Sequence, residues 1–566
     1  MRKVGVFICH CGTNIAGTVD VEKVAEEIKS YPSVAFATTY KYTCSDPGQQ
    51  IIKDAIQEHG LDGVIVAACS PAMHETTFRR TAAAAGMNPY LLECANIREQ
   101  CSWVHQNDKG RATDKALYTI QSMVEKVKRN EALDPLSLPL TKKAMVIGGG
   151  IAGITAALDL ADAGYPVILV EKSDRLGGKM ANLSGTYLNF AAAPDLLARR
   201  IDRVMNHPNI QVITDAEVTQ VDGYVGNFKA TVKRVGQDAI LSYDIGAVVA
   251  ATGYERYPQS KLPEYGGGTI PDVIDGLTFE AMLAPGAKLA RPSDGKTPKE
   301  VVFVQCAGSR DPEHGVPYCS KVCCMYTAKQ AMLFKERVPY GQAYVFYIDI
   351  RSAGKGYDEY VQRAMTDARA LYLRGKVSKI YQDGQKVIVW GSDTLSDRAI
   401  EIAADLVVLA TPMAAPDGTK ELAQRLHIST DADGFYNEAH PKLRPVESLT
   451  AGVFLAGAGQ GPKDIPETVA QASAAAAKVL QLFSRDEMKA EPTIAQVIPE
   501  LCSACGLCVK ACPYGARQVD EILQVATVNP ALCQACGACA AACPNKASVV
   551  RNWTPTQILF MADVLV

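Results

Sequence analysis

The alternation of apolar runs with amphipathic stretches predicts an α/β fold for most of this chain. Short apolar runs are typical of buried strands, and the stretches between them carry apolar residues at helical spacing. In residues 1–135 the predicted strands are Val4–Ile8, Gly63–Ala68 and Tyr90–Leu92. The helices predicted in the same region lie near Val21–Ser30, Gln49–His59, Glu75–Gly86 and Thr113–Arg129. This pattern indicates a small open α/β sheet.

A second α/β pattern begins near residue 143 and is built around a glycine-rich turn. The apolar run Lys143–Ile147 leads into Gly148–Gly153, and an Ala- and Leu-rich helix extends to about Ala163. A further strand, Pro166–Val170, ends at the acid Glu171. Strand, G-x-G-x-x-G, helix, strand and acid together form the fingerprint of dinucleotide binding. The nucleotide contacts predicted from it are Gly148, Gly150, Ile151, Ala152, Gly153, Glu171 and Lys172.

Three later features favour FAD over NAD as the nucleotide. The segment Arg175–Met180 has the sequence R-L-G-G-K-M, as in flavoproteins of the disulfide-reductase type. The apolar strand Ala247–Ala250 ends in A-T-G, and the strand beginning at Val453 ends in a glycine turn before a helix near Pro466. This pairing resembles thioredoxin-reductase-like flavoproteins, in which the late turn covers the flavin ring and ribityl chain. The further FAD contacts predicted are Gly178, Lys179, Ala251, Thr252, Gly253, Gly457, Gln460, Ile465 and Thr468.

The amino-acid composition indicates metal or redox chemistry. The chain has 566 residues, too many for one core, and a formal net charge of −3, which gives no reason to expect nucleic acid or an anionic membrane as partner. No apolar run is long enough to span a membrane and no leader peptide opens the chain, so a cytoplasmic location is expected. In that compartment 18 cysteines indicate metal or redox chemistry rather than disulfide bonds. They form three groups, before residue 102, between 306 and 324, and after 501.

The last group contains two copies of C-x-x-C-x-x-C-x-x-x-C-P, the spacing that builds two [4Fe–4S] clusters in bacterial ferredoxins. In that pattern the fourth cysteine of each copy binds the cluster of the other copy. One predicted ligand set is therefore Cys502, Cys505, Cys508 and Cys543. The other is Cys533, Cys536, Cys539 and Cys512. Structural zinc and disulfides are the alternatives, but a zinc site does not need a crossed eight-cysteine repeat.

The middle group replaces a second nucleotide site. The strand Glu300–Val304 is followed by Cys306 rather than by G-x-G-x-x-G, and the chain has no second fingerprint, which disfavours direct NAD(P)H oxidation. The four thiols predicted to hold one more [4Fe–4S] cluster are Cys306, Cys319, Cys323 and Cys324. Buried structural thiols and a redox disulfide are the alternatives. Lys329, on the helix predicted at Met325–Glu336, would reach the N5 edge of a flavin that lies against this cluster, unless it is a solvated helix lysine.

The first group gathers at predicted strand ends, where open parallel sheets bind ligands. Cys9 and Cys11 follow the first strand, Cys69 follows Gly63–Ala68, and Cys94 follows Tyr90–Leu92. Cys44 and Cys101 lie in loops. The spacing matches no short cluster motif, so a further cluster, buried structural thiols and a Cys9/Cys11 redox pair all stay open.

Taken together, these segments resemble the A-type, flavin-binding subunits of heterodisulfide reductase, found in methanogens and many anaerobic bacteria. Besides the cysteine groups, the resemblance is carried by Ile8–Gly12 with Asn14 and Ile15, Tyr42–Gly48, Cys69–Pro71, Asn96–Glu99, Cys101–His105 and Gly461–Pro466. It implies FAD, a lysine matching Lys329 beside it, two clusters in the ferredoxin region, one on the middle thiols and one in the N-terminal region. For the last cluster Cys44, Cys69 and Cys101, with Cys9 or Cys11, fit best, and Cys94 is dispensable.

The resemblance also implies an activity and partners. The FAD would bifurcate electrons from a two-electron donor, sending one to ferredoxin and one to a disulfide-reducing or equivalent partner. The implied partners are B-like and C-like subunits of heterodisulfide reductase, a hydrogenase or formate dehydrogenase adaptor, ferredoxin, and a second copy in a homodimeric core. The alternatives are a non-bifurcating flavin relay in a benzoyl-CoA reductase or quinone-interacting complex, an NAD(P)H-dependent reductase, and an assembly scaffold.

The predicted architecture is α/β with several domains. A thioredoxin-reductase-like FAD domain carries an inserted nucleotide-fold-like cluster domain, between an N-terminal α/β iron–sulfur domain and a C-terminal two-cluster ferredoxin domain of α+β type. The corresponding segments are 1–135, 136–255 with 406–485, 256–405, 495–550, and a docking tail at 551–566. A buried core helix is the alternative for the tail.

Overall fold

The computed structural model describes residues 2–236 and 240–564, and the chain divides into two units. One unit comprises Met1–Leu138 with Met488–Val566, and the other is Pro139–Glu487. The segments predicted as the N-terminal and ferredoxin domains thus belong to one unit, although the whole second unit separates them in sequence. No helix in the described ranges is long and apolar enough to cross a membrane.

The N-terminal segment forms a four-stranded parallel sheet in the order β2-β1-β3-β4. Its strands are β1 (Val4–Cys9), β2 (Val34–Tyr40), β3 (Gly63–Ala68) and β4 (Leu92–Asn96). Its helices are α1 (Val21–Lys29), α2 (Asp46–Glu58), α3 (Pro71–Ala84) and α4 (Lys109–Val127), and the short strand β5 (Leu136–Pro139) follows them. Every residue of β1 and β3 is buried, which explains their uninterrupted apolar sequences.

Two details of this sheet differ from the sequence-based prediction. The strand β2 was not predicted: it is only partly buried along its length, and its short apolar start at residues 34–37 continues into the polar threonines at 38 and 39. The predicted strand at Tyr90–Leu92 is wrong: Pro89–Leu91 is a 3-10 turn, and the strand begins only at Leu92. Cys94 therefore lies inside a strand rather than at its end.

The second unit begins with the flavin-type fold. Its first segment contains β6 (Ala144–Ile147), α5 (Ile151–Asp162), β7 (Val167–Val170), α6 (Ala193–Met205), β8 (Ile210–Ile213), β9 (Ala216–Tyr224), β10 (Asn227–Arg234), β11 (Ile240–Ile245) and β12 (Ala247–Ala250).

The inserted segment follows. It contains β13 (Glu255–Arg256), β14 (Val273–Asp275), α7 (Gly276–Met282), β15 (Glu300–Val304), α8 (Cys323–Arg337), β16 (Gln342–Tyr347), α9 (Tyr357–Thr366), β17 (Leu371–Arg374), β18 (Val377–Asp383), β19 (Lys386–Asp393), β20 (Arg398–Ala404), β21 (Leu406–Leu409) and β22 (Met413–Ala414). The chain then returns to the flavin-type fold through α10 (Thr419–Arg425), β23 (Val453–Leu455) and α11 (Ile465–Phe483).

The flavin-type fold and the insert share one architecture. The flavin-type fold has a parallel sheet β23-β12-β6-β7-β8, with α5 and α11 packed on one face and the antiparallel sheet β11-β10-β9 on the other. The insert has a parallel sheet β14-β21-β15-β16-β17, with α7 and α8 on one face and the antiparallel sheet β18-β19-β20 on the other. The strand β21, which the predicted boundary assigns to the flavin segment, pairs within the insert's sheet.

The C-terminal segment contains a small twofold repeat. Its elements are β24 (Glu487–Ala490), β25 (Ala495–Val497), α12 (Leu507–Lys510), β26 (Arg517–Asp520), β27 (Val525–Val528), α13 (Ala538–Ala541), β28 (Ser548–Val550) and α14 (Pro555–Asp563). The strand β25 pairs with β28, and β26 pairs with β27. Each repeat thus supplies one short helix that carries a cysteine, Cys508 in α12 and Cys539 in α13.

The last helix packs within its own unit. In α14 the buried Gln557 donates to Asn130 (2.8 Å), and Phe560 lies under the guanidinium of Arg129; both partners follow directly after α4. The outer side of α14 leaves Ile558 and Leu559 exposed. The predicted docking tail is therefore, in its described part, a largely exposed helix that is held on its own unit by the buried Gln557, and residues 565–566 lie outside the described ranges.

Candidate flavin and iron–sulfur sites

A cavity of about 1800 Å³ lies at the glycine turn between β6 and α5. Gly148 has φ +109°, and a Cβ there would lie 2.3 Å from the Ala251 carbonyl oxygen, so only glycine fits. A Cβ on Gly153 would lie 1.8 Å from the Gly148 oxygen, which explains why α5 packs so closely on the turn. By contrast, a Cβ on Gly150 would meet only the Cα of Gly178, at 3.9 Å. The cradle is closed by backbone behind Gly148 and open beside Gly150, as a bound pyrophosphate requires.

Most of the predicted FAD contacts line this cavity. They are Gly148, Gly150, Ile151, Ala152, Glu171, Lys172, Gly178, Lys179, Ala251, Thr252, Gly253, Ile465 and Thr468. Glu171 also accepts from the Gly149 N–H (2.6 Å) and from the Ser173 N–H (2.8 Å), so it stabilises the turn itself.

Within the described ranges, Gly153, Gly457 and Gln460 do not line the cavity. Gly153 lies behind the turn, where it allows the helix to pack. The N–H of Gly457 donates to Gln471 (2.7 Å), and the amide of Gln460 donates to Glu438 (2.8 Å) and to the Pro445 carbonyl. The sequence therefore did not reveal that the Gly457 N–H and the Gln460 amide bond to other parts of the protein rather than line the cavity.

The insert forms another part of the same cavity wall. Tyr254, Glu280, Tyr326 and Lys329 all line it, and the last two belong to α8, whose first residues are Cys323 and Cys324. One helix thus carries two of the middle thiols at its N-terminus and two cavity-lining side chains within the following two turns.

Lys329 forms a buried ion pair. It is 2% exposed, and its Nζ lies 2.5 Å from Glu280 Oε1 and 2.6 Å from the Gly185 carbonyl oxygen. Burial lowers the pKa of Lys329, while the Glu280 carboxylate opposes that change. Burial alone would raise the pKa of Glu280, but Lys329 and the hydrogen bonds from Ser184 and Gln330 outweigh it and lower that pKa. A solvated helix lysine is therefore excluded.

Glu280 is a residue that sequence reasoning missed. It lies on α7, a separate element of the insert, and no motif marks it. The one available signal is general: a buried lysine requires an acidic partner.

The middle thiols come together between β15 and α8. Cys306 follows β15 with φ +56°, and the Lys321 N–H donates to Cys319 Sγ (3.3 Å). Burial, with smaller contributions from the Cys306 and Cys319 thiols, raises the pKa of Cys324 to about 11. The pKa of Cys323 is raised as well, mainly by burial and to a smaller extent by the other three thiols. Four adjacent thiols are a donor set suited to a metal cluster, which binds them as thiolates.

Tyr326 connects this thiol group with the flavin cavity. Its ring lines the cavity and packs against Gly276, where a Cβ would lie 2.8 Å from the ring. Its hydroxyl lies near the Cys323 thiol, and burial, then that thiol, raises the pKa of Tyr326 well above its ordinary value. Sequence reasoning did not single out Tyr326.

In the N-terminal unit four thiols group at the carboxyl ends of β1 and β3. The Cys11 N–H donates to Cys9 Sγ (3.3 Å), and Arg98 donates to Cys11 Sγ (3.3 Å). Burial, then the Cys9 thiol, raises the pKa of Cys44. Burial also raises the pKa of Cys69, whose charged neighbours include Arg98 and the Cys11 thiol.

Cys101 does not join that group. Its thiol contacts the Asn96 carbonyl oxygen (3.9 Å) and Thr119 Oγ1 (3.8 Å), and its burial raises its pKa with no contribution from another thiol. It lies in the π-helical turn Arg98–Ser102, which directs it toward α4. The structure thus brings both Cys9 and Cys11 together with Cys44 and Cys69, in place of the predicted set that included Cys101. Cys94 sits inside β4 among apolar residues.

The C-terminal thiols follow the predicted crossed repeat. One small cavity is lined by Cys502, Cys505, Cys508 and Cys543, the first predicted ligand set. Backbone N–H groups point at the sulfurs: Ala526 to Cys502 (3.3 Å), Ala516 to Cys512 (3.3 Å) and Ala495 to Cys533 (3.4 Å). Such N–H···S bonds stabilise thiolates around iron–sulfur clusters.

The two C-terminal repeats match in backbone shape. Ala504 and Ala535 have φ +53° and +54°, Gly506 and Gly537 have φ +73° and +76°, and Cys505 and Cys536 are exposed. In the described ranges no three Cys, His, Asp or Glu side chains are arranged to hold a single metal ion. A [4Fe–4S] cluster binds each thiolate to a different iron, so its ligands do not converge on one point.

Two protein families match these sites. The pyridine nucleotide-disulphide oxidoreductase family matches residues 142–280, and the 4Fe-4S dicluster domain matches residues 501–547. The crystal structure of T. acidophilum thioredoxin reductase matches 61% of this chain and 98% of its own, at 18% identity and a TM-score of 0.41. This likeness is too weak to support a conclusion. With the two family matches, the fold and its sites define the chain as an oxidoreductase whose cofactors are FAD and [4Fe–4S] clusters.

Relatives that match over most of their length narrow this class. The chain is 41% identical to the second A-type iron-sulfur subunit of CoB–CoM heterodisulfide reductase from Methanopyrus kandleri, with 92% of this chain and 91% of that protein covered. It is 38% identical to the A-type subunit of the H(2):CoB-CoM heterodisulfide,ferredoxin reductase of Methanothermobacter thermautotrophicus, with 92% and 91% covered. The chain therefore belongs to the family of A-type heterodisulfide reductase subunits, and the predicted family and fold class are confirmed.

Proposed function

We propose that this chain is the subunit of a heterodisulfide-reductase-type complex in which electron pairs are split between FAD and iron–sulfur clusters. The observation that carries the proposal is the composition of α8. Its first turn supplies Cys323 and Cys324, and its next turns supply Tyr326 and Lys329 to the flavin cavity. A flavin in that cavity and a cluster on those thiols would share one helix, which is the short path that single-electron transfer needs.

The proposed clusters number four. Two belong to the ferredoxin repeat with the crossed ligand sets given above, and one belongs to Cys306, Cys319, Cys323 and Cys324. The fourth is assigned to Cys9, Cys11, Cys44 and Cys69, the N-terminal thiols that group together. Cys101 and Cys94 are outside the proposed ligand sets.

FAD supplies the exchange between two-electron and one-electron chemistry when it is bound. The chain's own residues orient it and set its surroundings. Gly148 and Gly150 shape the pyrophosphate cradle, and the α11 N-terminus, capped by Asp464, lines the opposite wall. Glu280 keeps the Lys329 ammonium in place at the cavity wall. A fixed cation there favours the reduced, anionic flavin.

The proposed partners follow from what the relatives are named for. The Methanococcus maripaludis relative, 39% identical, is named as the A-type subunit of an H(2)/formate:CoB-CoM heterodisulfide,ferredoxin reductase. For this chain we propose ferredoxin as one acceptor and a disulfide-reducing or equivalent subunit pair, B-like and C-like, as the other branch. A hydrogenase or formate dehydrogenase adaptor would deliver the electron pair, and two copies of the chain would form the core.

The test is Cys306→Ser in the complex purified anaerobically from its native cell. We expect FAD to stay bound, the iron content to fall by one cluster, and ferredoxin reduction coupled to the second acceptor to stop. Cys94→Ser is the matched control, because Cys94 is a buried thiol outside every proposed ligand set. Coupled ferredoxin reduction at the wild-type rate in Cys306→Ser would contradict the proposal.

The same preparation separates splitting from simple relay. Electron splitting predicts that ferredoxin is reduced only while the second acceptor is present, and that the flavin accepts its two electrons in a single step. Two well-separated one-electron steps in a flavin titration, with ferredoxin reduction independent of the second acceptor, would favour a relay of the benzoyl-CoA reductase or quinone-interacting type.

A further inference from the structure

The two halves of the ferredoxin repeat differ at one buried position. Counting from the cysteine–proline pairs, Arg517 follows Cys512-Pro513 at the same distance as Ser548 follows Cys543-Pro544. The residues before them are alanines in both halves, Ala516 and Ala547. The repeat is otherwise closely matched in backbone shape, so this exchange of arginine for serine is a local asymmetry in a symmetric scaffold.

Arg517 is buried with unused hydrogen-bond donors. It is 4% exposed, and its Nη2 donates to Ser548 Oγ (2.8 Å). Its Nε and Nη1 are buried and have no hydrogen-bond partner among the described residues. No carboxylate of the described chain forms an ion pair with it. A guanidinium in this position is costly unless an anion approaches it.

The side chain lines the cavity of one ligand set. Arg517 and Ser548 lie in the wall of the small cavity formed by Cys502, Cys505, Cys508 and Cys543. A [4Fe–4S] cluster with four thiolates is an anion, and it gains a further negative charge when it is reduced. The unused N–H groups of Arg517 therefore have the chemistry of a partner for that cluster.

We propose that Arg517 is a positioning residue that hydrogen-bonds the sulfur atoms of the cluster on Cys502, Cys505, Cys508 and Cys543 and raises its reduction potential above that of the second cluster. The proposal rests on the crossed ligand assignment of the proposed function. Net charge and hydrogen bonds to sulfur are two of the properties that set such potentials.

A consequence is that the two ferredoxin clusters are reduced at different potentials. The first electron that enters the module reduces the first cluster, next to Arg517, and the second cluster is reduced only after the first. The module would then hold one electron at moderate potential and pass on a second at lower potential.

The test uses the full chain and measures the midpoint potential of each cluster by a redox titration followed by electron paramagnetic resonance. Cys505→Ser and Cys536→Ser identify the signals, because each removes a ligand from one cluster only. In Arg517→Gln we expect the potential of the first cluster to become more negative while that of the second changes little. Arg517→Lys, which keeps the charge, should lie between Arg517→Gln and the wild type.

Lys510→Gln is the matched control, since it removes the same charge from an exposed position on α12, where water screens it. An unchanged first-cluster potential in Arg517→Gln would overturn the proposal. So would equal shifts in both clusters, or a shift confined to the second. If Arg517→Gln loses the first cluster altogether, Arg517→Lys should retain it, and loss of that cluster in Arg517→Lys as well would refute a role through charge.

The crossed assignment itself has a separate readout. Loss of the same signal in Cys505→Ser and Cys543→Ser supports it. Loss of different signals in these two variants would overturn the ligand assignment, and with it the Arg517 proposal, whatever the potentials are.

Discussion

The flavin-type fold and the insert are two versions of one architecture with different chemistry at the same point. Each has a five-stranded parallel sheet with helices on one face and a three-stranded antiparallel sheet on the other. In the first, β6 ends at Ile147, and the glycine turn that begins at Gly148 leads directly into α5. In the second, β15 ends near Cys306, and α8 opens with Cys323 and Cys324. Where one fold offers bare backbone to a pyrophosphate, the other offers thiols.

This difference shows how a nucleotide fold can exchange its ligand. The carboxyl end of the central strand and the start of the next helix form the binding position in both folds. Glycine makes that position accessible to a phosphate group, whereas cysteine fills it with donors for iron. A cluster on these thiols, as proposed above, would give the chain a path for electrons that does not need a second nucleotide fingerprint.

The largest expected effect on this comparison between the flavin-type fold and the insert comes from Gly150→Val. The new Cβ meets no protein atom closer than the Gly178 Cα, so the fold should survive, but the side chain occupies the space of the pyrophosphate. We expect nearly complete loss of FAD from the purified chain, measured by flavin absorbance, with the iron content unchanged. Gly110→Val, which is also free of close contacts, is the control. A wild-type FAD content in Gly150→Val would mean that the cofactor does not use this cradle.

The next test concerns the ion pair on the insert's side of the cavity. Lys329→Ala leaves Glu280 buried without its cation, and breaking a buried pair costs about 3–5 kcal/mol of stability. We expect a lower unfolding temperature and a flavin potential shifted to more negative values, with FAD still bound. The double variant Glu280→Gln with Lys329→Ala should recover most of the stability but not the potential. A single variant with an unchanged redox titration would remove Lys329 from the flavin's surroundings.

The smallest expected effect is a difference between the two tyrosines near the middle thiols, Tyr326 and Tyr372. Tyr326→Phe keeps the ring but removes the hydroxyl near Cys323, and with it any hydrogen bond to that sulfur, so the potential of a cluster on these thiols should become modestly more negative. Tyr372 is an equally suitable control, because its buried hydroxyl near Cys324 has no hydrogen-bond partner within the described chain. Equal shifts in Tyr326→Phe and Tyr372→Phe would show that packing, rather than the hydrogen bond, sets the potential.

Features encoded in a short stretch of chain were predictable from the sequence. The glycine turn at Gly148–Gly153, the strand before it, and the two ferredoxin repeats each have their geometry fixed by neighbouring residues. Features that depend on packing between distant segments were not. The partner of Lys329 is Glu280, on another helix, and the direction of Cys101 depends on a π-helical turn that no local pattern marks.

The N-terminal thiols illustrate the same limit. Their spacing allowed several groupings, because Cys9, Cys44, Cys69 and Cys101 lie in loops or strand ends whose relative positions only the folded sheet determines. One displaced strand boundary, at Leu92, was enough to predict Cys94 after its strand, although it lies inside β4. A half-buried strand such as β2 leaves too weak a hydrophobic pattern to be found by periodicity.

The packing of α14 on α4 has a consequence for how the protein is made. During synthesis α4 leaves the ribosome early, and the segment that covers it emerges only after the whole of residues 139–487 has been translated. Domains generally fold as they emerge, from the N-terminus onward. The side of α4 that packs on α14, where Ser122 donates to the Met561 carbonyl oxygen, therefore stays uncovered through most of translation. Its unit reaches its final form only after the flavin-type unit has been synthesised.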